Sequence, residues 1–259
     1  MKIFAKLLVI FSMFILFIGC KDEPETKVEP LRVGSALEFA PFDFQTPDDR
    51  NYQGFDIDLI RAIGKKMGRD VKISNLGFES GFDGLIAVLQ TKNIDLFIAG
   101  MTITDERRQK VLFSDPYFKS GLAIAIRADD SSVNSFQDLA GKRIAVLIDT
   151  TGNLEAQKIP NVTIKEFGTP TECFEELAKN QVDAVINDRP VTDYMIHRGE
   201  ISNVKVLPEL LTEEEYGIAI EKDNVELMLQ VNLALQQIRD SGEYDRIYEK
   251  WFGAKHSES

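Results

Sequence analysis

Three places in this chain have the residue types and the setting to hold a small charged molecule. Arg107 falls in the first turn of a short helix that Thr104, followed by Asp105 and Glu106, is expected to cap. Its guanidinium is a planar fork of donors that matches a carboxylate, and the free backbone N–H groups of that first turn carry the same sign. Thr150-Thr151-Gly152 opens another helix, whose unpaired N–H groups offer a second set of donors. Asp188 ends a strand and precedes Arg189-Pro190, so its carboxylate can face a cation. Each place also has a plainer reading: Arg107 as a solvated helix arginine like Arg108, Thr150 to Gly152 as an ordinary cap, and Asp188 as the cap of a helix with Pro190 in its first turn. A molecule bearing both a carboxylate and an ammonium needs both ends paired once water is excluded, because an unpaired buried charge costs several kcal/mol.

The composition excludes other chemistries. The formal charge is -12 over 259 residues, with no cluster of Lys and Arg to follow a phosphate backbone. Only two histidines occur, His197 and His256, and no close pair of Cys or His, so neither a metal nor another cofactor is expected.

Such residues need elements to position them. From Leu31 onward, short β-rich runs alternate with helical periodicities, the pattern of an α/β protein with largely parallel sheets. Leu59, Ile60, Ile63 and Met67 recur at helical spacing and Gly68 follows, predicting a helix over about 55–67. Phe82, Leu85, Ile86 and Leu89 repeat the spacing, and 95–99 reads as a buried strand. The second half predicts a strand over 142–147, a helix at about 171–180, a strand over 182–187 and another over 216–220. A long helix follows through Val225, Met228, Leu235 and Ile238, and after Gly242 a last one carries Tyr244, Ile247, Tyr248 and Trp251.

The chain also echoes itself. Leu89-Gln-Thr-Lys-Asn-Ile-Asp95-Leu-Phe-Ile matches Leu177-Ala-Lys-Asn-Gln-Val-Asp183-Ala-Val-Ile, each a helix end running into a buried strand. Two similar lobes are therefore expected. Ligands of open α/β sheets sit beyond the C-terminal ends of the strands, which places Gly100 to Thr102 opposite Asn187 and Asp188 across a cleft.

Gly100-Met-Thr-Ile-Thr-Asp-Glu-Arg107 and Phe113-Ser-Asp-Pro-Tyr-Phe-Lys-Ser-Gly121 resemble the signature of the polar amino-acid-binding proteins of ABC importers, solute-binding family 3. Phe39-Ala-Pro-Phe42, Gly54-Phe-Asp-Ile-Asp58 and Ile247-Tyr-Glu-Lys-Trp-Phe-Gly253 resemble it too, so the likeness runs from Leu31 to Gly253, nearest to a glutamine-binding protein in several runs. The resemblance implies a type II periplasmic binding protein fold, two α/β lobes joined by two hinge strands. It puts lobe 1 at 31–116 plus 217–253, lobe 2 with the hinge segments at 117–216, and a tail at 254–259. It implies a binding subunit that closes on one free L-amino acid and delivers it to a membrane permease with its ATPase, without catalysis. By the same resemblance Thr102 gives its amide and hydroxyl to the ligand, the Gly100 carbonyl meets the ammonium, Asp188 pairs with that ammonium, and Phe39 and Phe82 sandwich the side chain. Phe42, Phe44 and Phe55 are left as plain core.

The N-terminus fits export. Lys2 and Lys6 precede an apolar run over 7–18, about 12 residues and too short to span a bilayer, which ends in Gly19-Cys20. This predicts a lipoprotein signal peptide over 1–19, lipidation at Cys20, and a flexible tether over 20–30 that lacks large apolar groups apart from Val28. A lipid-anchored monomer in the bacterial cell envelope is expected, and with Cys20 acylated only Cys173 remains as a thiol. The rival from another class is a cyclohexadienyl dehydratase on the same scaffold, which needs an acid poised in the cleft, where Glu38 is the spare carboxyl. By the same family resemblance the position three residues before the pocket aromatic, where a polar group meets the ligand's tip, is Ala36, and with Leu147 it would line that end with apolar surface, predicting an uncharged ligand over lysine or arginine unless Glu38 swings inward.

Overall fold

A computed structural model describes residues 28–46 and 49–254. The export signal, Cys20 and most of the tether lie outside the described residues, as does the tail beyond Ala254.

The buried apolar runs of the sequence become two five-stranded sheets of the same design. One is ordered Val71–Asn75, Leu31–Ser35, Leu96–Phe97, Ala219–Ile220, Leu112–Phe113. The other runs Thr163–Phe167, Arg143–Leu147, Ala184–Asp188, Leu122–Arg127, Val204–Val206. In each, the first three strands are parallel and the fourth is antiparallel to its neighbours. Two chain crossings join them, Phe118–Ser120 paired antiparallel with Glu214–Tyr216. Each crossing leads directly into the antiparallel strand of the lobe it enters, so the second lobe is one continuous run between the crossings while the first draws on the chain from both sides of them.

Local chemistry accounts for the elements. In the helix Phe55–Lys66, Phe55, Leu59, Ile60 and Ile63 are fully buried at three- and four-residue spacing, one apolar face. Asp56 and Asp58 stand in its first turn and Lys65 and Lys66 in its last, each end suited to the helix dipole. Thr104 accepts from the Arg107 amide at 3.1 Å and starts the helix Asp105–Lys110, as its sequence predicts. The second sheet alternates between two buried faces: Ile124, Ile126, Ile144 and Val146 join one apolar cluster while Ala125, Ala145 and Leu147 join the other. Helices cover both faces, so its strands read as unbroken apolar runs.

Residues 36–54 carry no period that predicts strands, yet they form a small antiparallel sheet, Glu38–Phe39, Asp43–Thr46 and Asp49–Gln53. Asp43 organises its entry, Oδ2 accepting from the Ser35 hydroxyl at 2.6 Å and from the amides of Ala36 and Leu37 at 2.9 Å. Those bonds hold Leu37 in the left-handed region at φ 62°. Phe42 and Phe55 are core, as expected. Phe44 differs: only half buried, its ring centroid lies 5.7 Å from that of Trp251 and 6.3 Å from that of Tyr194, which belongs to the second lobe.

Candidate functional site

The strand ends of the two sheets meet across a narrow cavity with a free volume of about 20 Å³. Its wall takes Ala36, Phe39, Phe82, Gly100 and Thr102 from one lobe and Leu147, Thr151 and Asp188 from the other. Gly100 is bound to its type: at φ 59°, an added Cβ would stand 2.8 Å from Phe39 Cε1. The buried Asp56 holds it there, accepting the Gly100 amide and the Tyr117 hydroxyl, each at 2.9 Å.

Arg107 and Gly152 lie behind this wall. Arg107 is 8% exposed, with its guanidinium carbon 4.3 Å from the centroid of Phe82. Nη1 donates to the Thr102 carbonyl at 3.0 Å and Nη2 to the Asp149 carbonyl at 3.0 Å, so the fork reaches from one lobe to the other. Burial draws its pKa down, while Asp149, Glu214 and Asp188 push it back up; an arginine stays cationic under such pressure. Gly152 packs tightly, its absent Cβ 3.2 Å from the Ile186 carbonyl. The helix Thr151–Gln157 that it begins is capped by Thr150, which accepts from the Asn153 amide at 3.3 Å.

Asp188 sits at the cap position of the helix Arg189–His197 but makes no capping bond with its side chain. Its Oδ1 instead takes a short bond from the Tyr216 hydroxyl, with Ser120 Oγ at 3.2 Å. Burial, then the nearby Glu214, raise its pKa to about 7. Glu38 also lines the cavity, although the strand beginning at Leu31 ends at Ser35. Partial burial, then the charges of Glu79 and Glu172, lift its pKa above the usual carboxylate value.

Several site residues escape a reading of the sequence. Asp149 caps a helix of the opposite lobe, its Oδ2 accepting from the Asp83 amide at 2.6 Å, and Gly81 lies so close that a Cβ would meet the Asp149 Cβ at 2.4 Å. Glu214 and Tyr216, on the second crossing, bond to Thr102 and Asp188. The only sequence signal for these two is the alternation of a strand, which buries Glu214 and Tyr216 and exposes Glu215.

Paired sheets, a cleft at their strand ends and opposite charges set around it define a two-lobed binding protein. The family model of bacterial extracellular solute-binding proteins, family 3, matches residues 31–254, and the chain belongs to that family. Its fold is the type II periplasmic binding protein fold. The chain is 31% identical over 236 residues to the arginine-binding extracellular protein ArtP of Bacillus subtilis, covering 88% of each. It is 32% identical over 212 residues to the ABC transporter glutamine-binding protein GlnH of the same species, covering 81% of this chain and 76% of the relative. Among solved structures, an ancestral arginine-binding protein bound to glutamine superposes with a TM-score of 0.80 at 42% identity, covering 86% of this chain and 98% of that one.

Proposed function

We propose that this protein captures one free L-amino acid between its lobes and delivers it to the membrane permease and ATPase of an ABC importer. The carrying observation is one cavity between the lobes with a buried guanidinium behind one side and a buried carboxylate, Asp188, on the other. The ligand's carboxylate takes the Arg107 fork in place of the two carbonyls, which are weaker acceptors, and the amides of Thr102, Thr151 and Gly152 complete its shell. Its ammonium lies between Asp188 and the Gly100 carbonyl, and its side chain between Phe39 and Phe82, against Ala36 and Leu147. The lobes divide at the two crossings, 31–116 plus 217–253 against 117–216. The chain acts as an exported, lipid-anchored monomer held through Cys20 at the cell envelope, and we read it as a binding protein rather than a dehydratase because the relatives it matches are binding proteins.

The side-chain end takes a guanidinium better than an uncharged tip. An uncharged ligand is the expectation where Ala36 and Leu147 leave a buried cation unpaired, and Glu38 on the cavity wall supplies the missing partner. Phe39 adds an aromatic face that accepts a cation.

Thermal shift of the soluble domain against each common amino acid tests the assignment, since a ligand at a hundred times its Kd adds about 2.7 kcal/mol of stability. Arginine is expected to give the largest shift. No shift with any amino acid rejects the function, and glutamine or a branched aliphatic ligand at least about tenfold tighter than arginine by competition calorimetry rejects the side-chain preference alone.

A further inference from the structure

Glu214 is the one carboxylate of the second crossing turned inward, 8% exposed and bonded by three threonine hydroxyls. Its Oε2 accepts from Thr102 of one lobe at 2.7 Å and from Thr151 of the other at 3.0 Å. Oε1 accepts from Thr212 of its own segment at 3.0 Å. An ionised carboxylate is acceptor-only, so the proton in each contact is the threonine's own, and a hydroxyl has only one to give. Thr102 and Thr151 line both the cavity and an open hollow on the hinge side whose wall carries Glu214. With their protons committed to the hinge side, both oxygens turn lone pairs toward the cavity, beside Asp188. Tyr216, on the same face of the strand two residues on, gives its own proton to Asp188.

We propose that Glu214 is a positioning residue: a hinge carboxylate that fixes the hydroxyl protons of Thr102 and Thr151, thereby tying the lobes together without ligand and leaving both oxygens as acceptors for the ligand's ammonium. The second half rests on the amino-acid reading above; the first does not. One short strand thus sets the side-chain acceptors of the cation-binding end, Glu214 through the two threonines and Tyr216 through Asp188.

Four variants test it: Glu214→Ala, Glu214→Gln, Thr151→Val and, as a control for hinge charge alone, the exposed Glu215→Gln. Small-angle scattering of ligand-free protein is expected to give a larger radius of gyration for Glu214→Ala and Thr151→Val than for wild type. Glu214→Gln stays near wild type, because its amide oxygen accepts the same two protons, and Glu215→Gln is unchanged. Thr151→Val alters shape little and leaves Glu214 in place, so the outcome does not hang on the folding of Glu214→Ala. In calorimetry with L-arginine and L-glutamine, Glu214→Ala is expected to bind about ten- to a hundredfold more weakly, the worth of bonds to a charged group. Glu214→Gln loses less, and Glu215→Gln nothing. Ligand-free radii equal to wild type in both Glu214→Ala and Thr151→Val overturn the tie between lobes. Wild-type affinity in Glu214→Ala overturns the positioning role. Absence of any amino-acid binding by the wild type removes the function proposed above and with it the ammonium half, while scattering still decides the tie.

Discussion

The two lobes are alike at the base of their sheets and unlike at the tips. At each base an arginine on the second strand in the sheet order meets an aspartate that leads into the third. The Arg32 amide donates to Asp95 Oδ2 at 2.8 Å and the Arg143 amide to Asp183 Oδ2 at 2.8 Å. Each guanidinium closes on the carboxylate that its own backbone amide meets, Arg32 on Asp95 and Arg143 on Asp183, and the aspartate amides return to the arginine carbonyls at 2.8 and 2.7 Å. Counting five residues from each aspartate reaches Gly100 in one lobe and Asp188 in the other; four from each arginine reaches Ala36 and Leu147. All four line the cavity. Where the lobes share residues the fold requires them, since both sheets need the same clasp between parallel strands. Where they differ, one lobe presents backbone at a glycine and the other a carboxylate. An asymmetric ligand with one end of each charge needs that inequality.

Breaking the tips is expected to give the largest effects. Arg107→Ala and Asp188→Ala should each weaken amino-acid binding about 30-fold to several thousandfold, because removing one member of a buried charge pair costs about 2–5 kcal/mol. Stability without ligand should hardly fall. Near-normal affinity by calorimetry in either variant would take that residue out of the site.

Breaking the bases should do the reverse. Asp95→Ala and Asp183→Ala each remove a carboxylate that holds a backbone amide and an arginine, and each is expected to cost about 1–3 kcal/mol in denaturant unfolding with affinity in the folded protein unchanged. A large difference between the two would show that the bases are not equivalent.

A shift of pH separates tip from base without a mutation. In the folded chain Asp43 and Asp188 keep their protons up to about pH 7, raised chiefly by burial, whereas an unfolded aspartate releases its proton near about pH 3.9. Between those values the folded state binds more protons, so stability falls as pH rises and the loss is complete above pH 7. Asp183, whose pKa Arg143 lowers, works in the opposite direction, its contribution being lost only in stronger acid. Ligand-free protein should therefore resist denaturant better at about pH 5.5 than at about pH 8. Binding should show the opposite trend: an ammonium holds Asp188 ionised, so below pH 7 affinity should weaken, approaching about tenfold per pH unit. A pH-independent Kd would detach Asp188 from the ammonium.

The smallest expected effect sharpens the side-chain end. Glu38→Gln should lower the preference for arginine over glutamine by only about two- to fivefold, since a partly solvated ion pair is worth under about 1 kcal/mol. An unchanged ratio would place the cationic tip elsewhere.

The sequence alone determined what depends on near neighbours. Helical spacing placed Phe55–Lys66, a threonine followed by acids placed the start of Asp105–Lys110, and the repeated run around Asp95 and Asp183 announced two lobes, because periodicity and capping are local physics. Boundaries slipped where a turn intervened: the strand expected over 95–99 is only Leu96–Phe97, before Gly100 turns the chain at φ 59°. The opposed pair Gly100 and Asp188 was legible because each stands five residues after the aspartate of that repeat, at or just beyond the end of its strand, and Arg107 because it stands in a capped first turn. The site's other partners were decided by tertiary structure alone. Thr102 and Glu214 are 112 residues apart, and Asp83 and Asp149 are 66 apart. Glu214 is the middle member of the acidic run Glu213 to Glu215. No local pattern says that the middle glutamate will be folded beneath two threonines from different lobes, because that contact exists only once both crossings are paired and the two lobes face each other.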